Sequence, residues 1–475
     1  MSVDPLVEPV ETLALRVLMP SFEGPALPEE WAGLLRDGLA GICLFGSNIG
    51  DGSGVPALTA AIHDANPACV IALDEEGGDV TRLHALTGSP VLGPAALGAV
   101  HDLALTRAVG GLVGADLVAA GIDLDLAPVA DVNSNPDNPV IGTRSFGSDP
   151  GVAASHVAAW VHGLQDTGVA ACVKHFPGHG DTGEDSHLAL PVLDVSVETL
   201  HQRELLPFAA AVAAGTRTVM TSHIVVPALD PELPATLSPT VLRVLREELN
   251  FDGVIVSDAL DMAGASASRG IPEAAVLSLA AGADFLCIGP DKPASLVREI
   301  TAAIAAAVRD GRLPLARLEE AAARVATLRT SYEVAVPTTD SNDVRLRGAA
   351  ATALIVEGDL PDLTGAMLVS VDTRANIAVG DVPWGLTPDL RVTPGGEVSA
   401  PGGGPVIVQV RDAHRRPDVA DTLDRLSASG LAPVVVEWGW PGPRHGDYPR
   451  ICTRGYSRPG AEAVTELLRK AGWDR

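Results

Sequence analysis

The sequence predicts an α/β protein in which a (β/α)8 TIM-type barrel precedes a smaller α/β domain. Eight short apolar runs alternate with Ala- and Leu-rich segments of helical spacing, as expected for a repeated strand–helix unit. Several of these runs are apolar throughout, which is typical of parallel strands covered on both faces. The same alternation is compatible with an open doubly wound sheet, but eight strands favour closure into a barrel.

The eight strands are expected, in order, at Leu15–Met19, Gly41–Phe45, Val70–Leu73, Ile122–Ala127, Ala170–Val173, Thr218–Thr221, Gly253–Val256 and Asp284–Ile288. Helices are expected at Asp102–Ala120, Gly151–Asp166, Val197–Ala214, Pro239–Glu248, Pro272–Ala281, Pro293–Arg309 and Leu315–Thr330. The Ser238–Pro239 pair and Pro272 are ordinary signals for a helix start.

The residue composition of the chain changes after the last of these helices. A polar, Pro-containing stretch begins at Val336 and is of the kind that links domains. We therefore expect a barrel domain over 1–335, a linker over 336–345 and a second domain over 346–475. Within the second domain the pattern predicts strands at Thr352–Val356, Met367–Val371, Val406–Gln409 and Val434–Glu437, and helices at Asp418–Ser429 and Gly460–Ala471.

The composition favours a protein that acts on small molecules or on other proteins. The formal charge is −27, which argues against a nucleic-acid partner, because binding to phosphates needs a basic face. The sequence contains no uninterrupted apolar stretch of about 18 residues, so a membrane span is not expected. The amino terminus does not resemble a signal peptide, and the five cysteines are dispersed without a CxxC pair. Reduced thiols are expected, and with them a cytoplasmic location.

Ionisable residues stand at five consecutive strand ends, where the loops of a barrel converge on one cavity. They are Asp74 after the third strand, Asp131 after the fourth, Lys174–His175 after the fifth, His223 after the sixth and Asp258 after the seventh. A single Asp in such a position is often only a helix cap, and a single His is often structural. Ionisable residues at five consecutive strand ends therefore predict a functional site.

The densest segment runs from Lys174 to His187 and contains glycines and a proline typical of a loop. Asp185 and His187 are two positions apart and can point in the same direction. The carboxylate can then orient the imidazole for general acid–base catalysis. The three histidines and three acids of this segment also permit a zinc site in an amidohydrolase-like barrel. That reading is disfavoured because no HxH pair ends the first strand.

Five motifs resemble glycoside hydrolase family three, most closely its bacterial β-N-acetylglucosaminidase branch, which serves peptidoglycan recycling. They are Asp74–Arg82 (DEEGGDVTR), Ile141–Gly147 (IGTRSFG), Lys174–Gly180 (KHFPGHG), Asp185–His187 (DSH) and Val256–Met262 (VSDALDM). The resemblance covers about residues 10–330, and the Asp-Ser-His loop marks this branch.

The resemblance implies a retaining hydrolase that acts through a covalent glycosyl-enzyme. Asp258 matches the nucleophile, His187 the acid/base and Asp185 its partner. The residues that match sugar contacts are Asp74, Arg82, Arg144, Lys174 and His175. No cofactor and no metal are expected, the partner is a small carbohydrate, and no oligomeric state is predicted.

Three further observations bear on the substrate. The chain departs from the family pattern at Glu75 and Asp79, where Gln and Arg are common, and in its second domain. Only 7 Phe, 6 Trp and 3 Tyr are present, and few fall near the motifs (Phe146, Phe176), which favours exo-cleavage of one terminal sugar from small oligosaccharides or muropeptides.

Three other functions stay open at this point. A histidine acid/base adds no negative charge beside an anionic acceptor, so a phosphorylase with the same residues is an alternative to the hydrolase. The metal-dependent hydrolase and a non-catalytic sugar-binding protein are alternatives of other classes.

Overall fold

Each barrel strand overlaps its predicted run, but Leu15 ends a helix rather than starting the first strand, and the fifth strand continues beyond Val173 to Phe176. The structure, a computed structural model of the chain, describes residues 9–183, 190–328, 342–373, 378–380, 382–396, 405–431 and 433–475. The strands are β1 (Leu18–Met19), β2 (Gly41–Cys43), β3 (Val70–Leu73), β4 (Leu124–Asp125), β5 (Ala170–Phe176), β6 (Thr218–Thr221), β7 (Val254–Ser257) and β8 (Phe285–Cys287).

These strands form one parallel sheet in the order β1-β8-β7-β6-β5-β4-β3-β2. Neighbours in the chain are therefore neighbours in the sheet, and β1 returns to β8, with Leu18 opposite Leu286. Between β1 and β2 the Cys43 amide donates to the Pro20 carbonyl at 2.9 Å. This bond joins the two remaining edges, so the sheet is a closed (β/α)8 barrel.

Helices cover the outside of the barrel and follow the strands in turn. Their bounds are Val10–Leu15, Glu29–Arg36, Val55–Ala65, Pro94–Val100, Leu103–Ala120, Pro150–Gln165, Val197–Ala213 (including a π turn at Leu200–Glu204), Pro239–Glu248, Ile271–Ala281, Ala294–Arg309 and Leu315–Ala326. Side chains fix several starts: Asp102 accepts from the Leu105 amide and Ser238 from the Val241 amide. Each predicted barrel helix is present.

One described helix, Leu103–Ala120, is long and apolar enough to cross a membrane by length and composition alone. It is half buried inside the protein and packs along Pro150–Gln165. Its Arg107 forms an ion pair with Asp166. These contacts are those of a core helix in the barrel wall.

The barrel interior is filled by side chains that point inward from alternate positions of the strands. Met19, Cys43, Cys172, Met220 and Cys287 belong to this inner cluster. Gly41 is needed in β2, because a Cβ atom there would lie 2.3 Å from the Phe285 ring. The interior is therefore packed below the strand ends, and open space begins only above them.

The second unit is a six-stranded sheet with helices on both sides. Its strands are β9 (Ile355–Glu357), β10 (Met367–Val371), β11 (Leu390–Val392), β12 (Val406–Val410), β13 (Pro433–Glu437) and β14 (Arg450–Cys452), in the order β9-β14-β13-β12-β10-β11. Only the β9–β14 pair is antiparallel. The helices are Asn342–Ala353, Pro417–Ala428 and Arg458–Lys470.

The first predicted strand of this unit is partly wrong. Thr352 and Ala353 belong to the end of a helix, and the strand begins at Ile355. The helix continues because Leu346, Ala349 and Ala350 bury one apolar face against the barrel's outer core. Strands β11 and β14 and the helix Asn342–Ala353 were not predicted.

Candidate active site

A cavity of about 450 Å³ lies at the carboxyl ends of the barrel strands. Six of the eight predicted site residues line it, namely Asp74, Arg82, Arg144, Lys174, His175 and Asp258. The other two, Asp185 and His187, lie outside the described residues. The volume lies within the range of small-molecule sites.

Part of the cavity wall is a network of buried charges. The Lys174 ammonium lies 2.6 Å from Asp74 Oδ1 and 2.8 Å from Glu76 Oε1. Arg144 donates two hydrogen bonds to the same Glu76, from Nε to Oε2 at 2.9 Å and from Nη2 to Oε1 at 2.7 Å. Glu76 therefore holds both cations, in the fork geometry that favours guanidinium–carboxylate pairs.

These contacts keep the network ionised. Burial alone would raise the pKa of Glu76, but Arg144 and Lys174 lower it far below its ordinary value. Asp74 behaves in the same way, with Lys174 and then Arg82 lowering its pKa against burial. Burial alone would lower the pKa of Lys174, but Asp74 and Glu76 raise it. Charged oxygens and nitrogens are thus available for sugar hydroxyls.

Arg82 connects this network to the second unit. Its Nη2 lies 3.8 Å from Asp74 Oδ2 and donates to the Ala378 carbonyl at 2.7 Å. Its Nη1 donates to the Val379 carbonyl at 3.3 Å. Ala378 itself lines the cavity, so a segment of the second unit contributes to the wall.

His175 is oriented from behind by a carboxylate. Its Nδ1 lies 2.7 Å from Asp131 Oδ2, and its Nε2 lies 3.5 Å from Arg144 Nη2. Burial alone would raise the pKa of Asp131, but the His175 imidazole lowers it. Asp131 also accepts from the His179 amide at 2.7 Å. Asp131, at the end of its strand, thus orients the His175 ring but does not itself line the cavity.

Asp258 follows β7 directly and is partly exposed in the cavity. Its Oδ1 accepts from the Ala259 amide at 2.8 Å. The Ala259 carbonyl lies 2.9 Å from Nε2 of His223, whose Nδ1 contacts Thr236 Oγ1 at 2.9 Å. The strand-end His223 is therefore buried and supports the loop that carries Asp258.

Apolar side chains also line the cavity, and around the barrel they alternate with the charged ones. They are Phe45, Leu126, Met220, Ala259, Met262, Cys287 and Pro290. Phe146 and Phe176, the aromatic residues close to the motifs, lie in the core instead, against Trp160 and Phe208 respectively. Phe45 is the one aromatic lining residue within the described parts of the chain, so the site offers a single ring surface.

Sequence reasoning missed Glu76, Asp261 and Ala378 as lining residues. Glu76 carried a usable signal, because it is two positions after Asp74 and in extended chain the two share a face. Asp261, which pairs with Lys292 at 2.7 Å, lies three positions after Asp258. Ala378 carried no signal.

The two departures in the third-strand motif have different roles. Glu75 turns away from the cavity and accepts from the amides of Arg82 and Leu83 at 2.8 and 3.0 Å. Asp79 forms an ion pair with Arg411 of the second unit at 2.8 Å. Neither residue lines the cavity, and Asp79 joins the two units.

Metal-ligating side chains do not converge within the described ranges. No group of three or more His, Cys, Asp or Glu there could hold a metal ion. His179 is buried, and its Nδ1 contacts Thr182 Oγ1 at 2.6 Å. Burial lowers the pKa of His179 to about 4, so this ring stays neutral in a supporting position.

The chain is similar to known glycoside hydrolases. A family model described as the glycosyl hydrolase family 3 N-terminal domain matches residues 19–328. The β-hexosaminidase A of Pseudoalteromonas piscicida is 36% identical over 332 residues, 64% of this chain and 55% of that protein. The chain thus matches only about half the length of this relative.

A second relative and a solved structure are matched over most of their own length. The β-hexosaminidase of Stenotrophomonas maltophilia (strain K279a) is 37% identical over 272 residues, which cover 55% of this chain and 79% of that one. The family 3 β-N-acetylglucosaminidase structure from Paenibacillus sp. str. FPU-7 superimposes with a TM-score of 0.85 and 29% identity, over 99% of this chain and 98% of the other. The similarity therefore includes both units.

Proposed function

This chain belongs to glycosyl hydrolase family 3, whose model covers residues 19–328, and we propose that it is a retaining, exo-acting β-N-acetylglucosaminidase. It is a glycoside hydrolase by family. The similar β-hexosaminidase of Stenotrophomonas and β-N-acetylglucosaminidase of Paenibacillus support the choice of sugar. The observation that carries the proposal is that Asp258 lines the same cavity as the paired Asp74, Lys174 and Arg144.

The proposed reaction has two displacements at one carbon. Asp258 attacks the anomeric carbon and forms a glycosyl ester, while His187 donates a proton to the leaving oxygen. His187, now neutral and oriented by Asp185, then accepts a proton from water, which attacks the same carbon and releases Asp258. Two inversions give net retention.

The sugar-binding residues fit this direction of attack. Asp74, Arg82, Arg144, Lys174 and His175 line the cavity and can bind the ring hydroxyls. Charge-assisted hydrogen bonds from such groups are about twice as strong as neutral ones. Binding here holds the anomeric carbon against Asp258.

Water is the better acceptor than phosphate in this cavity. Its described lining carries the cations Arg82, Arg144 and Lys174, and each is already close to a carboxylate. Asp74, Glu76, Asp258 and Asp261 add four carboxylates. A phosphate dianion would therefore meet no excess positive charge among these residues, which supports hydrolysis over the phosphorylase alternative.

The substrate class follows from the size of the cavity. A space of about 450 Å³ with one aromatic surface suits one terminal sugar and a short aglycone. We extend the proposal to fragments of peptidoglycan, with the enzyme in the cytoplasm. All five cysteines are free and buried, which is consistent with a reducing compartment. Fractionation of the host cell tests the location.

Labelling of the nucleophile tests the proposal. A slow fluorinated N-acetylglucosaminyl donor should attach to Asp258, and Asp258→Asn should lower the turnover of an aryl N-acetylglucosaminide on the order of 10⁴-fold. Asp261→Asn is the matched control, because Asp261 lines the same cavity but pairs with Lys292. Attachment to another residue, or an active Asp258→Asn enzyme, would contradict the assignment.

Two further measurements separate the alternatives. Millimolar phosphate should leave the rate unchanged and the product should be free N-acetylglucosamine of retained configuration; sugar 1-phosphate would indicate the phosphorylase. A chelator should leave activity unchanged, whereas a metal-dependent hydrolase would lose it. Tight sugar binding without turnover would indicate a binding protein.

A further inference from the structure

His175 lies between an acceptor and a donor, and these two neighbours determine which ring nitrogen carries a proton. Its Nδ1 lies 2.7 Å from Oδ2 of the buried Asp131. Burial alone would raise the pKa of Asp131, but the His175 imidazole lowers it. The carboxylate is therefore ionised and can only accept a hydrogen bond. It follows that Nδ1 is the nitrogen that donates.

The other ring nitrogen lies beside a group that can only donate. Nε2 of His175 is 3.5 Å from Arg144 Nη2, and a guanidinium has five N–H donors and no acceptor. A proton on Nε2 would set two donors against each other, whereas an unprotonated Nε2 directs a lone pair to this side. The contact is long for a hydrogen bond, so the lone pair stays available to a closer donor.

Arg144 Nη2 and His175 Nε2 together match one hydroxyl group. A hydroxyl has one hydrogen to donate and two lone pairs that accept. The same sugar hydroxyl can therefore accept from Arg144 and donate to His175, since both residues line the cavity. A fluorine or hydrogen atom in that position would leave Nε2 without a donor.

Asp131 is held in one orientation by two backbone amides. Its Oδ1 accepts from the His179 amide at 2.7 Å and from the His175 amide at 3.2 Å, while Oδ2 faces Nδ1. In Asp131→Asn the remaining oxygen should stay with these amides, because both need an acceptor. The new side-chain nitrogen then donates to Nδ1, and the ring proton moves to Nε2. The substitution thus inverts the tautomer with little change of shape.

We propose that Asp131 is a positioning residue that sets the tautomer of His175 and thereby makes Nε2 the acceptor for one sugar hydroxyl. The inference rests on the proposed function, because it takes the occupant of the cavity to be an N-acetylglucosamine unit. Asp131 does not line the cavity, so it acts on the sugar only through His175.

The tautomer is measured directly by nuclear magnetic resonance of the imidazole nitrogens in the ligand-free enzyme. The His175 signals, identified by their absence in His175→Gln, should show a protonated Nδ1 and an unprotonated Nε2. Asp131→Asn should show the reverse. A protonated Nε2 in the wild-type enzyme overturns the proposal, and this result does not depend on the folding of an Asp131 variant.

Competitive binding of N-acetylglucosamine and its monodeoxy and monofluoro analogues measures the consequence. In the wild-type enzyme, replacement of one particular hydroxyl should raise Ki ~10-fold, because Nε2 loses its donor. Asp131→Asn should raise the Ki of N-acetylglucosamine itself ~10-fold, and the same replacement should then cost less than ~3-fold. Penalties that add in full for every hydroxyl overturn the proposal.

Asp123→Asn is the matched control. Asp123 Oδ2 lies 3.1 Å from His63 Nε2, at the amino end of β4, and neither residue lines the cavity. This variant should bind every ligand as the wild type does, and a loss in Asp131→Asn no greater than in Asp123→Asn contradicts the inference. Failure of the proposed function is distinguishable, because the wild-type enzyme would then bind none of these sugars while the tautomer of His175 could still be read.

Discussion

The ion pair between Asp79 and Arg411 joins the barrel to the second unit, and Asp79→Asn removes its charge with little change of shape. Asp79 Oδ1 accepts from Arg411 Nη2 at 2.8 Å and from the Tyr456 amide at 3.1 Å. Its Oδ2 accepts from Thr143 Oγ1 at 2.6 Å. All three donors therefore depend on one carboxylate.

The magnitude follows from the burial of the pair. The side chains of Asp79 and Arg411 are 3% and 8% exposed. Asparagine replaces one acceptor oxygen and leaves the buried guanidinium without its ion-pair partner. Loss of one partner of a buried pair costs about 3–5 kcal/mol, and we expect the free energy of unfolding of the Asp79→Asn variant to fall by that amount.

Substrate binding should respond as well. The Ala378 and Val379 carbonyls that hold Arg82 belong to the same unit as Arg411. Weaker docking of that unit should loosen Arg82, so KM should rise several-fold while kcat changes little, since Arg82 contributes to binding rather than to bond cleavage.

Urea unfolding and steady-state kinetics measure the two effects. Asp166→Asn is the control, because its pair with Arg107 is 57% and 56% exposed and should be worth less than ~1 kcal/mol. Arg411→Met added to Asp79→Asn should restore part of the stability by removing the unpaired charge. The reasoning is refuted if Asp79→Asn costs no more than Asp166→Asn.

Two further predictions concern the barrel. Glu76→Gln removes the carboxylate shared by Lys174 and Arg144, so kcat/KM should fall ~10- to 100-fold; unchanged kinetics would mean that the two cations keep their positions without it. Burial, and secondly His101, lower the pKa of the buried His156 to about 4 from 6.5. Between these values the unfolded chain binds a proton that the folded protein does not, so the free energy of unfolding should fall as the pH drops from about 6.5 to 4. His156→Gln should flatten that slope in urea titrations, and an equal slope in both proteins would contradict the assignment.

The barrel could be predicted because its strands are local patterns. Each is a short apolar run covered on both faces, and each is separated from the next by a segment of helical period. The second unit was harder. Strand β14 reads Arg-Ile-Cys and β11 reads Leu-Arg-Val, and runs of three residues with a charged member carry too little pattern to distinguish a strand from a loop.

The position of the charged cluster was also accessible from the sequence. Asp74 and Asp258 follow strands, and Lys174 lies near the end of another, whose carboxyl ends must converge once the barrel closes. Which of Glu75 and Glu76 faces inward depended on the alternation of the chain beyond β3. That alternation places Glu76 with Asp74, and applied to the motif it could have distinguished the two acids.

The sequence by itself determined the barrel, the strand ends that supply the cavity, and the family. Only the tertiary structure decided that Asp79 pairs with Arg411 and that Arg82 is held by the carbonyls of Ala378 and Val379. These partners are about 300 residues apart in the chain. No local periodicity relates them, because their contact arises from the way two separately formed sheets pack together.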